Sequence, residues 1–166
     1  MMSCSQNRPM NMSDDGTLAR RKHPAHGIVF TPKVPTMIFL TVGTKDRKPW
    51  LASTKVHDLL RAVWRESATW LVGRYVVMPD HIHLFAAPGS TDVSFDNWVR
   101  YWKSQFTKRH RVRAHQWHTD HWDTRLRRDE SYASKWEYVR DNPVRKGLVD
   151  RAEDWPYQGE IHVLPW

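Results

Sequence analysis

A chain of 166 residues, 40% hydrophobic and carrying ten Trp, has the length for one domain with a single core. A net charge of +8 and a pI near 9.9 call for an anionic partner, nucleic acid first, because no apolar run approaches the roughly 18 to 20 residues of a membrane span. The single Cys4 excludes an intramolecular disulfide and is compatible with a reducing cytosol, and MMSCSQNRPMNMSDDG lacks the continuous apolar stretch of a secretory signal.

Residues 1 to about 33 are rich in Ser, Asn, Asp, Pro and basic residues without periodicity. They read as a mobile arm, with Arg20, Arg21 and Lys22 a solvated charge run. Residues 34–166 are then expected to form a single domain. Met37 to Val42 is a buried strand, followed by a polar loop through Gly43 and Lys48. Val56, Leu59, Leu60, Val63 and Trp64 fall at helical spacing, with Ser53 or Thr54 as the cap. Residues 69 to 78 form a second strand, and Pro79-Asp80 turns it into a third, predicting a hairpin.

The next helix carries Phe95, Trp98, Trp102 and Phe106 on one apolar stripe. Arg100, Lys103, Lys108, Arg109, Arg111 and Arg113 lie on its other side and continuation, a phosphate-contacting candidate. Trp122, Thr124 and Leu126 alternate, which predicts a strand carrying Arg125 and Arg127. A last helix over about 131–142 buries Tyr132, Trp136 and Val139, and is ended by Pro143 and Gly147. Leu148 to Trp166 is a tail whose Trp155-Pro156 turn is expected to wrap back on the body. The order strand, helix, strand, strand, helix, strand, helix predicts an α+β sandwich close to the ferredoxin-like (RRM-like) plan, a central antiparallel sheet of about four or five strands flanked by helices.

The sharpest chemical signal is His81-Ile82-His83. On a strand, side chains alternate faces, so both imidazoles share one face while Ile82 and Leu84 take the other. Two neutral ring nitrogens suit a divalent cation and leave coordination positions open for a third ligand and a phosphate oxygen. Tyr138 lies roughly 120° off the stripe of the last helix, sharing a face with Asn142 one turn on and nearly with Lys135. A tyrosine brought to such a metal can attack phosphorus and displace a 3′-hydroxyl, leaving a covalent 5′-phosphotyrosine. Asn142 can complete the metal site, and hard oxygen ligands beside two imidazoles suit Mg²⁺ or Mn²⁺.

The combination of YVVMPDHIHLF with EYVRDNPVRKGLV, over roughly residues 36 to 158, resembles the HUH-type single-tyrosine transposases, and among them the REP-associated tyrosine transposases. The resemblance implies that His81 and His83 bind metal, that Tyr138 is the nucleophile, and that Asn142 completes the site where the insertion-sequence branch commonly has Gln. It implies cleavage and joining of single-stranded DNA beside hairpins formed by palindromic repeats, without ATP, and in this branch by a monomer. Arg100, Lys103, Lys108, Arg109, Arg125 and Arg127 are the candidate DNA contacts, and a cytoplasmic, nucleoid-associated protein is expected. Two rival readings stand beside it: a domesticated relative that binds hairpin nucleic acid without cutting it, and a metal-dependent hydrolase in which water attacks. A histidine-triad hydrolase is disfavoured, since Phe85 stands where the next alternating histidine would be needed.

Overall fold

Five strands and the helices between them are defined in the computed structural model, which describes residues 36–90, 93–126 and 132–164. The N-terminal arm and Arg127 lie outside these residues. In chain order the elements are β1 (Ile38–Gly43), α1 (Thr54–Arg65), β2 (Trp70–Val77), β3 (His81–Pro88), α2 (Phe95–His110), β4 (Trp122–Arg125), α3 (Tyr132–Arg140), a single helical turn α4 (Asn142–Arg145), and β5 (Gln158–Glu160). The sheet runs β4-β1-β3-β2-β5 with all the paired strands antiparallel. Its first four strands have the order of the ferredoxin-like plan, with β5 added at the β2 edge.

Alternation along β1 and β3 divides the molecule into two layers. Ile38, Leu40, Val42, Ile82, Leu84 and Ala86 face α1 and α2 and join Leu60, Trp64, Trp98, Trp102 and Phe106 in the larger core. Burying one such large side chain is worth about 1.5–3 kcal/mol, so this layer carries most of the stability. Right-handed crossovers put α1 and α2 on the same side of the sheet. The opposite face is thinner. There Val76, Met78, Phe85 and Ala87 meet Trp136 and Val139 of α3, with Trp155 and Leu164 from the C-terminal segment. That segment is pinned by Trp155 Nε1, which donates to the Val77 carbonyl at 3.0 Å, and by the pairing of β5 with β2.

Two local findings bear on the site. Ser53 occupies the N-cap of α1 without a side-chain hydrogen bond, whereas Ser94 caps α2 by accepting from the Asn97 amide at 3.3 Å. The last helix ends at Arg140, but Pro143 does not stop the helical course. It sits in the first turn of α4, where its missing N–H costs little, and Gly147 at φ +66° makes the terminus.

Candidate active site

The pairing of β3 with β1 sets His83 opposite Thr41 and His81 opposite Gly43, on the α3 face. His81 Nε2 and His83 Nε2 point at each other, 3.1 Å apart. The remaining nitrogen of each ring is held: His81 Nδ1 donates to Asp80 Oδ1 at 2.6 Å, and His83 Nδ1 lies 2.9 Å from the Thr41 hydroxyl. The Asp80 bond fixes the tautomer of His81, so its Nε2 presents a lone pair. A hydroxyl can donate or accept, so Thr41 serves His83 in either tautomer. As it stands, His83 Nε2–H donates to His81 Nε2 and the Thr41 hydroxyl donates to His83 Nδ1; the other tautomer of His83, with Nδ1–H donating to Thr41, would leave its Nε2 lone pair free for a cation.

Asp80 is braced from the preceding loop. Thr44 donates its amide to the Asp80 carbonyl at 2.9 Å, its hydroxyl lies between the Lys48 and Asp80 carbonyls at 2.9 and 3.1 Å, and Arg47 Nε meets Asp80 Oδ2 at 2.7 Å. Asp46 and Arg47 both adopt left-handed backbone angles, φ 55° and 56°. That costs of order 1 kcal/mol each for residues with a side chain, and it aims the Arg47 guanidinium at the Asp80 carboxylate. Burial lowers the pKa of both histidines. For His83 the neighbouring charges of His81, Arg145 and Arg47 add to it and bring the value to about 3, while for His81 the Asp80 bond works against it. Both rings are therefore held neutral, the form in which imidazole is a ligand.

Beside His83 opens a cleft of about 580 Å³ walled by Phe39, Ser134, Lys135, Tyr138, Val139 and Asn142. Trp136 and Val139 anchor α3 in the thin core, which turns Tyr138 outward with 66% of its surface exposed. Arg145 lies 4.2 Å over the Tyr138 ring, donates to the Tyr138 carbonyl at 2.7 Å, and also holds Asn142 Oδ1. Tyr138, Asn142 and Arg145 thus stand at i, i+4 and i+7 on one helical face. Lys135 covers the Phe39 ring, which in turn stacks on His83. Arg47, Arg145 and Lys146 all act electrostatically on the histidine pair, making the surround cationic.

Comparison with known proteins places the chain in a family. No family profile matches the chain. A REP-associated tyrosine transposase of Escherichia coli K12 is 27% identical over 121 residues, covering 72% of this chain and 73% of the relative. A Haemophilus influenzae protein assigned to the same group is 30% identical over 153 residues, covering 78% of this chain and 86% of the relative. The chain belongs to the REP-associated tyrosine transposase family. A solved REP-associated tyrosine transposase bound to a REP hairpin shares its fold, with a TM-score of 0.62, 26% identity and coverage of 74% of either chain. No helix among the described residues of this transposase relative is long and apolar enough to cross a membrane.

The metal that this family implies can be tested against the donors present. Two cis ligands of a six-coordinate cation with bonds of about 2.1 Å lie about 3.0 Å apart, which the Nε2–Nε2 separation of 3.1 Å matches. Among the described residues no group of three His, Cys, Asp or Glu could hold a metal ion, so a further protein ligand must be another oxygen. Asn142 borders the cleft and can supply one by exchanging its bond to Arg145. The pair fits a hard cation with open positions.

The structure separates the remaining predicted contacts from this site. Arg100, Lys103, Lys108 and Arg109 belong to α2, on the far face of the sheet. Arg109 forms a two-pronged pair with Glu66 at 2.7 and 2.5 Å, and Lys103 Nζ is bonded to the carbonyl of His118 at 2.7 Å. Arg125 reaches the Thr36 hydroxyl at 3.1 Å. Of the cations that do stand near the histidines, Lys135 was noted from its position on the last helix, whereas Arg47, Arg145 and Lys146 were not singled out from the sequence.

Proposed function

We propose that this chain cuts and rejoins single-stranded DNA beside hairpin-forming repeats, with Tyr138 as nucleophile and His81, His83 and Asn142 as ligands of Mg²⁺ or Mn²⁺. One observation carries the reading: His83, whose Nε2 lies 3.1 Å from that of His81, shares a cleft wall with the exposed Tyr138 and with Asn142. Membership of a transposase family, and a solved relative bound to a REP hairpin, support the choice of substrate.

When bound, the cation would polarise the scissile phosphate and neutralise charge on its oxygens. The chain's own residues do the rest. Arg145 and the α3 backbone orient the Tyr138 ring, while Arg47 and Lys146 favour the approach of a polyanion. Tyr138 Oη forms a bond to phosphorus as the bond from phosphorus to the 3′-oxygen breaks. The phenolic proton is lost to solvent and the departing 3′-oxygen gains one. One ester replaces another, so no nucleotide cofactor is needed, and attack by a second 3′-hydroxyl reverses the step to join new ends.

The test is a denaturing gel of labelled oligonucleotides carrying hairpins from the host genome, with Mn²⁺, comparing wild type with Tyr138→Phe and His81→Ala. A covalent protein–DNA band from wild type alone is expected. Cleavage without that band would establish water attack instead, and binding without cleavage would establish a domesticated hairpin-binding protein.

A further inference from the structure

Trp122 is the most conspicuous aromatic on the sheet that serves neither core. Half of its surface is exposed (50%), while seven other tryptophans, Trp50, Trp64, Trp70, Trp98, Trp102, Trp136 and Trp155, are buried. It opens β4, the edge strand, directly opposite Thr41, which is itself opposite His83. Opposed residues of antiparallel strands point to the same face, so Trp122, Thr41 and His83 form one row across the α3 side.

A second row lies beside it. Thr44 bridges to Trp117, and the His118 amide donates to the Gly43 carbonyl at 2.9 Å, which sets His118 across Gly43 from His81. Between His118 and Trp122 the chain spends four residue steps against two on β1. That bulge brings the two rings together at 5.4 Å between centroids and 27° between planes. His118 is fixed by Lys103, which takes its carbonyl at 2.7 Å, and by the Asp120 amide, which donates to its Nδ1 at 3.2 Å.

The His118–Trp122 stack therefore runs alongside the His81–His83 pair, two strand spacings or about 10 Å away. The floor between them is Thr41 and Gly43, and a Cβ at Gly43 would meet nothing closer than 3.8 Å. A stacked, half-open aromatic surface beside a cationic phosphate site matches an unpaired base, whose π-face stacks without regard to sequence. We infer that Trp122, held against His118, is the platform on which an unpaired DNA base stacks next to the scissile phosphate. This rests on the strand-transfer reading of the cleft.

The test uses the full chain carrying Tyr138→Phe, expected to bind without cutting, and a fluorescein-labelled DNA hairpin with unpaired flanks. Trp122→Ala should weaken binding roughly five- to a hundredfold, and Trp122→Phe should retain most of it. Replacing the stacked base by an abasic site should cost the Trp122 protein a similar factor and the Trp122→Ala protein nothing further. A merely structural tryptophan would not produce that coupling. Equal affinity of Trp122→Ala, or abasic penalties undiminished in it, would overturn the platform alone. No hairpin binding even with Trp122 intact would overturn the strand-transfer reading as well.

Discussion

Asp80→Asn isolates the electrostatic support of the histidine pair. The amide oxygen can still accept from His81 Nδ1, and the Asp80 backbone carbonyl keeps its place, while one negative charge and the ion pair with Arg47 are lost. That carboxylate lies across a single imidazole ring from Nε2, about 6 Å from a cation there. At an effective dielectric of 40 to 80, a unit-charge pair at that distance is worth roughly 0.7 to 1.4 kcal/mol, and a divalent ion doubles it. The expected loss is therefore about ten- to a hundredfold in Mn²⁺ affinity, the range known for partners behind metal-ligating histidines. Free Mn²⁺ can be counted by electron paramagnetic resonance as it is titrated into each protein, with His81→Ala as the reference for loss of a ligand. Unchanged Mn²⁺ affinity in Asp80→Asn would refute the assignment of the pair as a metal site supported through Asp80.

Two further changes follow from the same geometry. Arg145→Ala removes the guanidinium from the Tyr138 ring and carbonyl, exposed contacts worth about 0.5–1 kcal/mol each, so single-turnover adduct formation should slow roughly tenfold. Arg145→Lys should restore only part of it, and an unaltered rate in Arg145→Ala would remove Arg145 from the role of orienting the nucleophile. Acid stability should reflect histidines outside the pair: His57 and His110, which are buried, and His121, which is partly buried, each have a pKa lowered below 6.5, with burial the leading cause. Below 6.5 the unfolded chain takes up protons that the folded chain refuses, so stability should be level above that pH and decline beneath it. Urea midpoints measured across that range would contradict this if they held steady until the carboxylates titrate near about 4.

The histidine face was legible because it rests on the shortest period in protein structure. Once Pro79-Asp80 turns the chain, His81 and His83 must share a side that Ile82 and Leu84 do not. The outward aim of Tyr138 was legible in the same way, from its angle to the Trp136–Val139 stripe. The partner of a basic helix was not. Composition shows α2 to be cationic, but Glu66, which claims Arg109, is 43 residues away. The face that α2 covers was derivable, since right-handed crossovers put both helices over Ile82 and Leu84, opposite the histidines. Arg145 was missed because Pro143 was read as a stop. Proline in a first turn costs no hydrogen bond, so the helical course runs on and brings Arg145 back over Tyr138. The pairing of His118 with Trp122 depends on a bulge, and no periodicity announces one.

The division of β3 between two faces has a consequence for how errors in folding are handled. A slip of one residue in the pairing of β3 would turn Ile82 and Leu84 to the cleft and drive both histidines into the apolar layer under α1 and α2. The contacts that give the sheet its stability therefore also inspect the wiring of the site. A mispaired chain loses cohesion and chemistry together, so a stable but miswired population has no means to persist, and a well-folded preparation should be uniformly competent.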